Sequence, residues 1–358
     1  MSNRRDYSLL GRDGAAALET GLASARWYQT EIPRKSLAAL MKPKDGPAIR
    51  DTFILFAAMA GLAASAAWLY PSILSLPVFL AYGVLYGSAM DSRWHECGHK
   101  TAFKTRWMND FVYQIACFCM IRNPHTWRWS HARHHTDTII VGRDPEIQLM
   151  RPPEFARLMA NFLGLLDVPA GLRLMLVNAS GRLDPQEATF IPDSEHHKVV
   201  RVARVWVLIY AATIAAAVML QSWLPVLLVG TPRLYGAWHH VMTGMLQHGG
   251  LADNVTDHRL NTRTVMMNPV SRFIYWNMNY HVEHHMYPKV PYHALPALHE
   301  MIRHDLPDPS PSIAAGFAEM WPALVRQLRN EEYFVKRSLP DSATPYRELA
   351  SGQPAPPQ

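Results

Sequence analysis

The chain has 358 residues, 49% of them hydrophobic, and its 35 Lys and Arg residues against 29 Asp and Glu residues give a formal net charge of +6. A basic protein of this kind can bind a nucleic acid, an anionic lipid surface or an acidic partner protein. We exclude nucleic acid as a partner because the sequence contains no helix-turn-helix, zinc-finger or RNA-stacking signature. The odd number of cysteines, three, argues against a disulfide framework.

The apolar residues are concentrated in uncharged runs that predict membrane helices, since a helix needs about 20 apolar residues to cross a bilayer. Four crossings in two hairpins are predicted, at residues 52–70, 72–90, 205–223 and 224–246. The fourth run contains Arg233, which we expect either to reach the headgroups or to pack within the bundle.

The charge distribution predicts the orientation of these crossings. The hairpin tips near Pro71 and Pro225 contain no Lys or Arg, whereas the two terminal regions and the middle region contain nearly all of them. The positive-inside rule therefore places both termini and the middle region in the cytoplasm. We expect an integral protein of the bacterial inner membrane.

The predicted fold class is all-α, a polytopic membrane protein whose cytosolic helical cap carries a metal site. The predicted regions are a cytosolic N-terminal arm (1–50), a membrane domain (51–305), a C-terminal amphipathic helix (306–338) and a disordered, Pro-rich tail (339–358).

Eight histidines in three clusters supply the chemistry. His281, His284 and His285 lie at relative positions 0, +3 and +4, so on a helix they share one face. The other clusters have related spacing and consist of His95 and His99, and of His131, His134 and His135. An even number of crossings places all three clusters on one side of the membrane.

Eight imidazoles exceed the four or so ligands that one tetrahedral zinc takes, which favours two metals of higher coordination number in a shared site. His248, at the end of the fourth crossing, is predicted as a further ligand, whereas His239 and His240 are expected to pack or to line a tunnel. Four nearby side chains are predicted to orient or charge-balance the ligands from outside, namely Glu96, Asp144, Glu283 and Asn279.

Two other readings of the histidines stay open at this point. His95, Glu96 and His99 also have the HExxH spacing of zinc peptidases, with Glu96 as general base. A histidine-lined metal transporter is the non-enzymatic alternative, although transporters place their polar ligands within the membrane spans.

The motifs His95-Glu-Cys-Gly-His99, His131-Ala-Arg-His-His135 and His281-Val-Glu-His-His285 resemble the three histidine boxes of the membrane fatty acid desaturase and hydroxylase superfamily. The resemblance implies a non-haem enzyme that uses two iron ions and O2 to desaturate or hydroxylate a C–H bond of a lipid or fatty acyl substrate. It also implies that these eight histidines are the metal ligands, and His248 is similar to an extra ligand found in many members. The implied electron donor is a separate ferredoxin or rubredoxin with its reductase.

A narrower resemblance concerns the substrate. Residues 131–147 and 277–300 resemble bacterial oxygenases of rhizopine breakdown, which hydroxylate and thereby remove an O-methyl group. That resemblance implies a small polar substrate and a ferredoxin donor, so a lipid substrate and a small polar one both remain open.

Overall fold

Residues 4–347 are described by a computed structural model, and within this range helices form all the extended regular structure. Only two isolated bridges, Thr264 with Tyr280 and Val265 with Ser310, have β geometry among these residues. The predicted all-α class is therefore confirmed.

The α-helices are α1 (Arg12–Glu19), α2 (Arg34–Leu40), α3 (Asp45–Leu69), α4 (Ser75–Val84), α5 (Met90–Gly98), α6 (Arg106–Met120), α7 (Pro124–Thr136), α8 (Phe155–Phe162), α9 (Asp167–Ala179), α10 (Asp193–Met219), α11 (Pro232–Gly236), α12 (Trp238–His248), α13 (His258–Asn261), α14 (Pro269–Ile274), α15 (His281–Met286), α16 (Leu295–Ile302) and α17 (Ile313–Gln327). Two π-helical turns, Leu85–Ala89 and Val226–Gly230, interrupt the longer helical stretches.

Two long helices are apolar enough to cross a membrane, one spanning residues 34–69 and the other being α10. Their apolar side chains point outward, and Trp68 and Val218, for example, are 84% and 71% exposed. Such surface is stable only against lipid or another protein. The predicted crossings 52–70 and 205–223 lie on these helices, and the chain is a membrane protein.

The other two predicted crossings are built differently. Residues 72–90 cover α4 and a π turn that leads directly into α5, and residues 224–246 are divided among a π turn, α11 and most of α12. Helices α8 and α9, bent by 79° at their junction, form a third candidate span. Crossings at 72–90 and 224–246 therefore remain predictions.

Close backbone contact joins the two halves of the bundle. A Cβ atom added at Gly236 of α11 would lie 1.8 Å from the carbonyl oxygen of Gly83 of α4, so only glycine permits this approach. Beside it, Arg233 is 2% exposed, donates a hydrogen bond to the Gly87 carbonyl oxygen (3.2 Å) and pairs with Asp167 (3.0 Å). Arg233 is thus packed in the bundle, the second of the two placements expected for it.

The terminal regions pack on the helical domain. In the N-terminal arm Arg5 pairs with Asp253 (2.7 Å), and the Thr30 hydroxyl donates to Asp305 (2.5 Å). Helix α17 lies within the predicted C-terminal helical region and begins at a Ser312 cap. The predicted disordered tail is described only as far as residue 347, and residues 348–358 lie outside the described range. Within the described part, the Thr344 carbonyl oxygen accepts a hydrogen bond from Arg259 (2.9 Å).

Candidate metal centre

Four helices bring nine buried or half-buried histidines together. The chain continues from the α4 segment through the π turn into α5, which carries the first histidine pair to one end of the bundle. The histidines are contributed by α5 and the residue after it (His95, His99), α7 (His131, His134, His135), the last residue of α12 (His248) and α15 (His281, His284, His285).

Five of these side chains form a first set, comprising His95, His99, His131, His135 and His284, whose ligand nitrogens all lie within 4.8 Å of one another. The Nε2 atoms of neighbouring rings face each other at 2.7 Å (His95 and His284), 3.0 Å (His99 and His131), 3.1 Å (His131 and His135) and 3.2 Å (His135 and His284). A metal–nitrogen distance of about 2.1 Å would place adjacent octahedral ligands about 3.0 Å apart. The spacing therefore fits ligands around one ion.

The second set comprises His134, His248, His281 and His285, again within 4.8 Å. The Nδ1 atom of His248 lies 2.8 Å from the Asn261 carbonyl oxygen, which can only accept, so Nδ1 carries the proton. This leaves a lone pair on Nε2, which is buried and has no hydrogen-bond partner within residues 4–347. An orphaned, buried imidazole nitrogen beside three others is the arrangement that a metal satisfies.

The two sets are neighbours and share helices α7 and α15. The ring centroids of His135 and His285, one from each set, are 4.6 Å apart, and those of His131 and His134 are 5.6 Å apart. The donor set of nine imidazoles thus fits two metal ions in one centre, and it suits iron, zinc, copper or nickel better than magnesium or calcium.

The environment keeps most of these rings neutral, the form that binds metals. Burial, reinforced by neighbouring imidazoles, lowers the pKa of His95, His131, His135, His281, His284 and His285 well below its ordinary value. Burial also lowers the pKa of His99 to about 4 and that of His248 to about 3. His134 is the exception, because the effect of burial is outweighed by the Asp144 carboxylate, which raises its pKa to about 9.

Two carboxylates hold the outer nitrogens of the ligand rings. Asp144 lies 2.8 Å from Nδ1 of His134 and also accepts from the Ile139 backbone N–H (2.8 Å). Glu146 lies 3.1 Å from Nδ1 of His131. Such partners fix the tautomer and direct Nε2 toward the metal. Asp144 is one of the four predicted outer residues and makes this contact with His134, whereas nothing in the sequence pattern pointed to Glu146.

Within the described range, the other three predicted outer residues form no hydrogen bond with the nine candidate ligands. Glu96 accepts from the Thr101 hydroxyl (2.7 Å) and the Tyr292 backbone N–H (3.0 Å). Glu283 accepts from the Thr264 hydroxyl (2.6 Å) and contacts His299, a buried residue that sequence reasoning missed. The side-chain amide of Asn279 donates to the Val265 carbonyl oxygen (2.9 Å). These residues tie together the loops around the centre.

The two deeper histidines have polar neighbours. Nε2 of His239 lies 3.2 Å from the Ser271 hydroxyl, which is a packing role. His240 lies 3.5 Å from Asp91 and lines a cavity of about 150 Å³. This reaction cavity, as we call it, is also lined by histidines of both sets, including His95, His134 and His248.

A helical membrane scaffold that gathers nine imidazoles in two adjacent sets defines a membrane protein with a candidate two-metal centre. The chain belongs to the fatty acid desaturase family, whose sequence profile, described as Fatty acid desaturase, matches residues 71–316.

Several curated relatives are similar to parts of the chain. The sn-1 oleoyl-lipid 12-desaturase of Anabaena variabilis is 39% identical over 62 residues, which is 17% of this chain and 18% of the relative. An endoplasmic reticulum omega-6 fatty acid desaturase of Glycine max is 32% identical over 127 residues (32% and 33%). The acyl-lipid (9+3)-(E)-desaturase of Dimorphotheca sinuata is 24% identical over 244 residues (60% and 64%). The chain thus spans less than two thirds of the length of each of these relatives.

Proposed function

We propose that the protein is an O2-dependent oxidoreductase with two iron ions that desaturates or hydroxylates a C–H bond of a lipid acyl substrate. The observation that carries the proposal is the pair of adjacent imidazole sets, five and four rings, buried at the end of a membrane helix bundle. Iron bound there would supply the activation of O2, a reaction that side chains alone cannot perform.

The chain's own residues have defined tasks in this proposal. The nine histidines would hold the irons through ring nitrogens, and His134, whose pKa is raised, would give up a proton to do so. Asp144 and Glu146 accept the Nδ1 protons of His134 and His131, and so keep their Nε2 atoms directed inward. The burial of His281, His284 and His285, all at most 3% exposed, limits water at the centre and protects a reactive oxidant from side reactions.

A lipid substrate is supported by the relatives, which are named for acyl-lipid and fatty acid desaturation. It is also supported by the exposed apolar surfaces of α3 and α10, which place the bundle in contact with acyl chains. The zinc-peptidase alternative loses support, because one tetrahedral zinc takes about four ligands, whereas nine imidazoles are gathered in two adjacent sets.

A small polar substrate is the second candidate, and the composition of the reaction cavity favours it. Charged and amide side chains line this cavity, among them Asp91, Arg122 and Gln148. An engineered cavity of similar size, about 150 Å³, holds benzene, so the space suits a small molecule. The corresponding reaction is hydroxylation of an O-methyl group, whose product loses a one-carbon fragment.

We further propose that a ferredoxin or rubredoxin, with its reductase, supplies the electrons at a cytoplasmic face in the bacterial inner membrane. The net charge of +6 would attract such acidic carriers and speed their association. The rate of reduction should therefore fall steeply as ionic strength rises, and a rate independent of salt would contradict this pairing.

Product analysis tests the function. Cells with the protein, cells without it and cells with the His284→Ala variant would be grown under 18O2, and lipids and small metabolites compared by mass spectrometry. A new double bond or labelled hydroxyl in an acyl chain supports the lipid substrate. Label in a released one-carbon product supports the second candidate. Products identical in all three strains would refute the proposal.

A further inference from the structure

A second cavity lies beside the metal centre. It measures about 380 Å³ and is bounded by residues of α7, α9 and α10 and by the segment that joins α9 to α10. Trp206 and Met175 give it an apolar side, whereas Thr126, Asn178 and Glu187 give it a polar side. We call this cavity the side chamber.

The polar side of the side chamber contains acceptors that lack partners. Oε2 of Glu187, Oδ1 of Asn178 and Oγ1 of Thr126 are buried and have no hydrogen-bond partner among residues 4–347. The three residues are only 8%, 1% and 9% exposed. A buried acceptor without a partner destabilises the protein, so this cluster is expected to receive donors from a ligand. Asn178 and Glu187 are neighbours, because the Asn178 side chain is among the groups that act on the pKa of the Glu187 carboxyl.

The charges around the side chamber leave one carboxylate without a cation. Arg173 pairs with Asp184 (3.3 Å), and Arg122 pairs with Asp167 (3.5 Å). Glu187 forms no ion pair within the described range. A cationic group that donates hydrogen bonds would therefore complement this wall. A primary ammonium fits, because it presents three N–H donors and no acceptor.

The side chamber also contains a hydrogen-bond donor without a partner among the described residues. The indole N–H of Trp127 also lines the side chamber and has no partner within the described residues. It can bond an oxygen of the same ligand. We propose that the side chamber binds an amino alcohol, with its ammonium group at Glu187 and Asn178 and an oxygen at Trp127. The shared chemistry occurs in a free amino alcohol and in the ethanolamine headgroup of a phospholipid.

The side chamber and the reaction cavity share a wall. Arg122, Trp127, Gln148 and Asp167 line both cavities. The Arg122 guanidinium stacks over the Trp127 ring at 3.7 Å, and that ring meets Trp94 edge-on at 4.2 Å, next to His95. A ligand in the side chamber is therefore separated from the reaction cavity by one layer of side chains, and it would position the polar end of the substrate. This role as substrate rests on the proposed function, whereas binding does not.

The test is binding to the purified full-length protein without turnover. In the first assay, calorimetry compares the affinities for free ethanolamine and free choline. In the second assay, the protein is placed in nanodiscs of phosphatidylethanolamine or of phosphatidylcholine, and native mass spectrometry measures the lipid that it retains. Choline keeps the positive charge but has no N–H donor. Ethanolamine, free or as headgroup, should bind at least about tenfold more tightly than its choline counterpart, as expected for a lost charged hydrogen bond. A preference for free ethanolamine over free choline identifies a soluble ligand. A preference seen only for phosphatidylethanolamine over phosphatidylcholine identifies a lipid headgroup.

Glu187→Gln should abolish that preference, while Glu300→Gln, at an exposed carboxylate of α16, should leave it intact. Equal binding of ethanolamine and choline in both formats overturns the inference, even if the enzyme oxidises a lipid. Conversely, a preference lost in Glu187→Gln establishes the site even if no product forms in 18O2, so the two proposals fail separately. The comparison of ligands on the unaltered protein does not depend on the folding of any variant.

Discussion

Asp144 holds both imidazole sets, so its replacement tests how the centre is built. Its Oδ2 accepts from His134 and the Ile139 N–H, and its Oδ1 accepts from the backbone N–H of Glu146 (2.8 Å), the residue that holds His131. In Asp144→Asn the amide NH2 must face at least one of these donors. Loss of an outer partner typically lowers metal affinity about 10–100-fold, which corresponds to about 1.4–2.7 kcal/mol.

The assay is iron retention during chelator titration of the purified variant, with circular dichroism to confirm the helical fold. Asp110→Asn serves as the control because Asp110 is half-exposed on α6 and makes only a long contact with Arg128 (3.5 Å) among the described ion pairs. The control should retain iron as the unaltered protein does. An Asp144→Asn protein that folds and holds iron with unchanged affinity would refute the reasoning.

Three further outcomes are expected. His248→Ala removes one of four imidazoles in the second set, so elemental analysis should show iron falling from about two to about one per chain, and unchanged iron would exclude His248 as a ligand. Burial raises the pKa of Glu187 to about 7 from 4.5, so the folded state binds this proton more tightly than the unfolded state and loses stability as pH rises between these values. The free energy of unfolding of Glu187→Gln should therefore exceed that of the unaltered protein by an amount that grows from about pH 5 to about pH 8 and approaches about 3 kcal/mol. A difference that does not change with pH would contradict this. Asp167→Asn leaves the buried Arg233 without its counter-ion and should cost about 3–5 kcal/mol, measured as a fall in Tm.

The candidate ligands were predictable from the sequence because helical spacing is a local property. Residues at relative positions 0, +3 and +4 share a helix face whatever the rest of the chain does. This spacing alone therefore identifies the triplets that begin at His131 and His281. The same helical geometry explains why Glu96 and Glu283 form no hydrogen bond with the candidate ligands. Glu96 follows His95 directly and Glu283 precedes His284, so each points about 100° away from its neighbouring ligand.

Tertiary contacts were not predictable in this way. Glu146 reaches His131 only through the turn after α7, and no spacing rule encodes a contact 15 residues apart. The pairing of Arg233 with Asp167 joins segments 66 residues apart. The π turns before α5 and α11 lie inside apolar runs that composition alone reads as continuous α-helices, so the path of the chain through residues 72–90 and 224–246 was not predictable.

Metal content with the ligand environment of the metal is the most direct test of the account. The purified full-length protein, reconstituted with ferrous iron without oxygen, would be analysed by elemental analysis and X-ray absorption. We predict about two irons per chain, each surrounded mainly by nitrogen at about 2.1 Å, and a loss of both the iron and the turnover in His284→Ala. A single zinc per chain, or no iron after reconstitution, would contradict the two-iron centre.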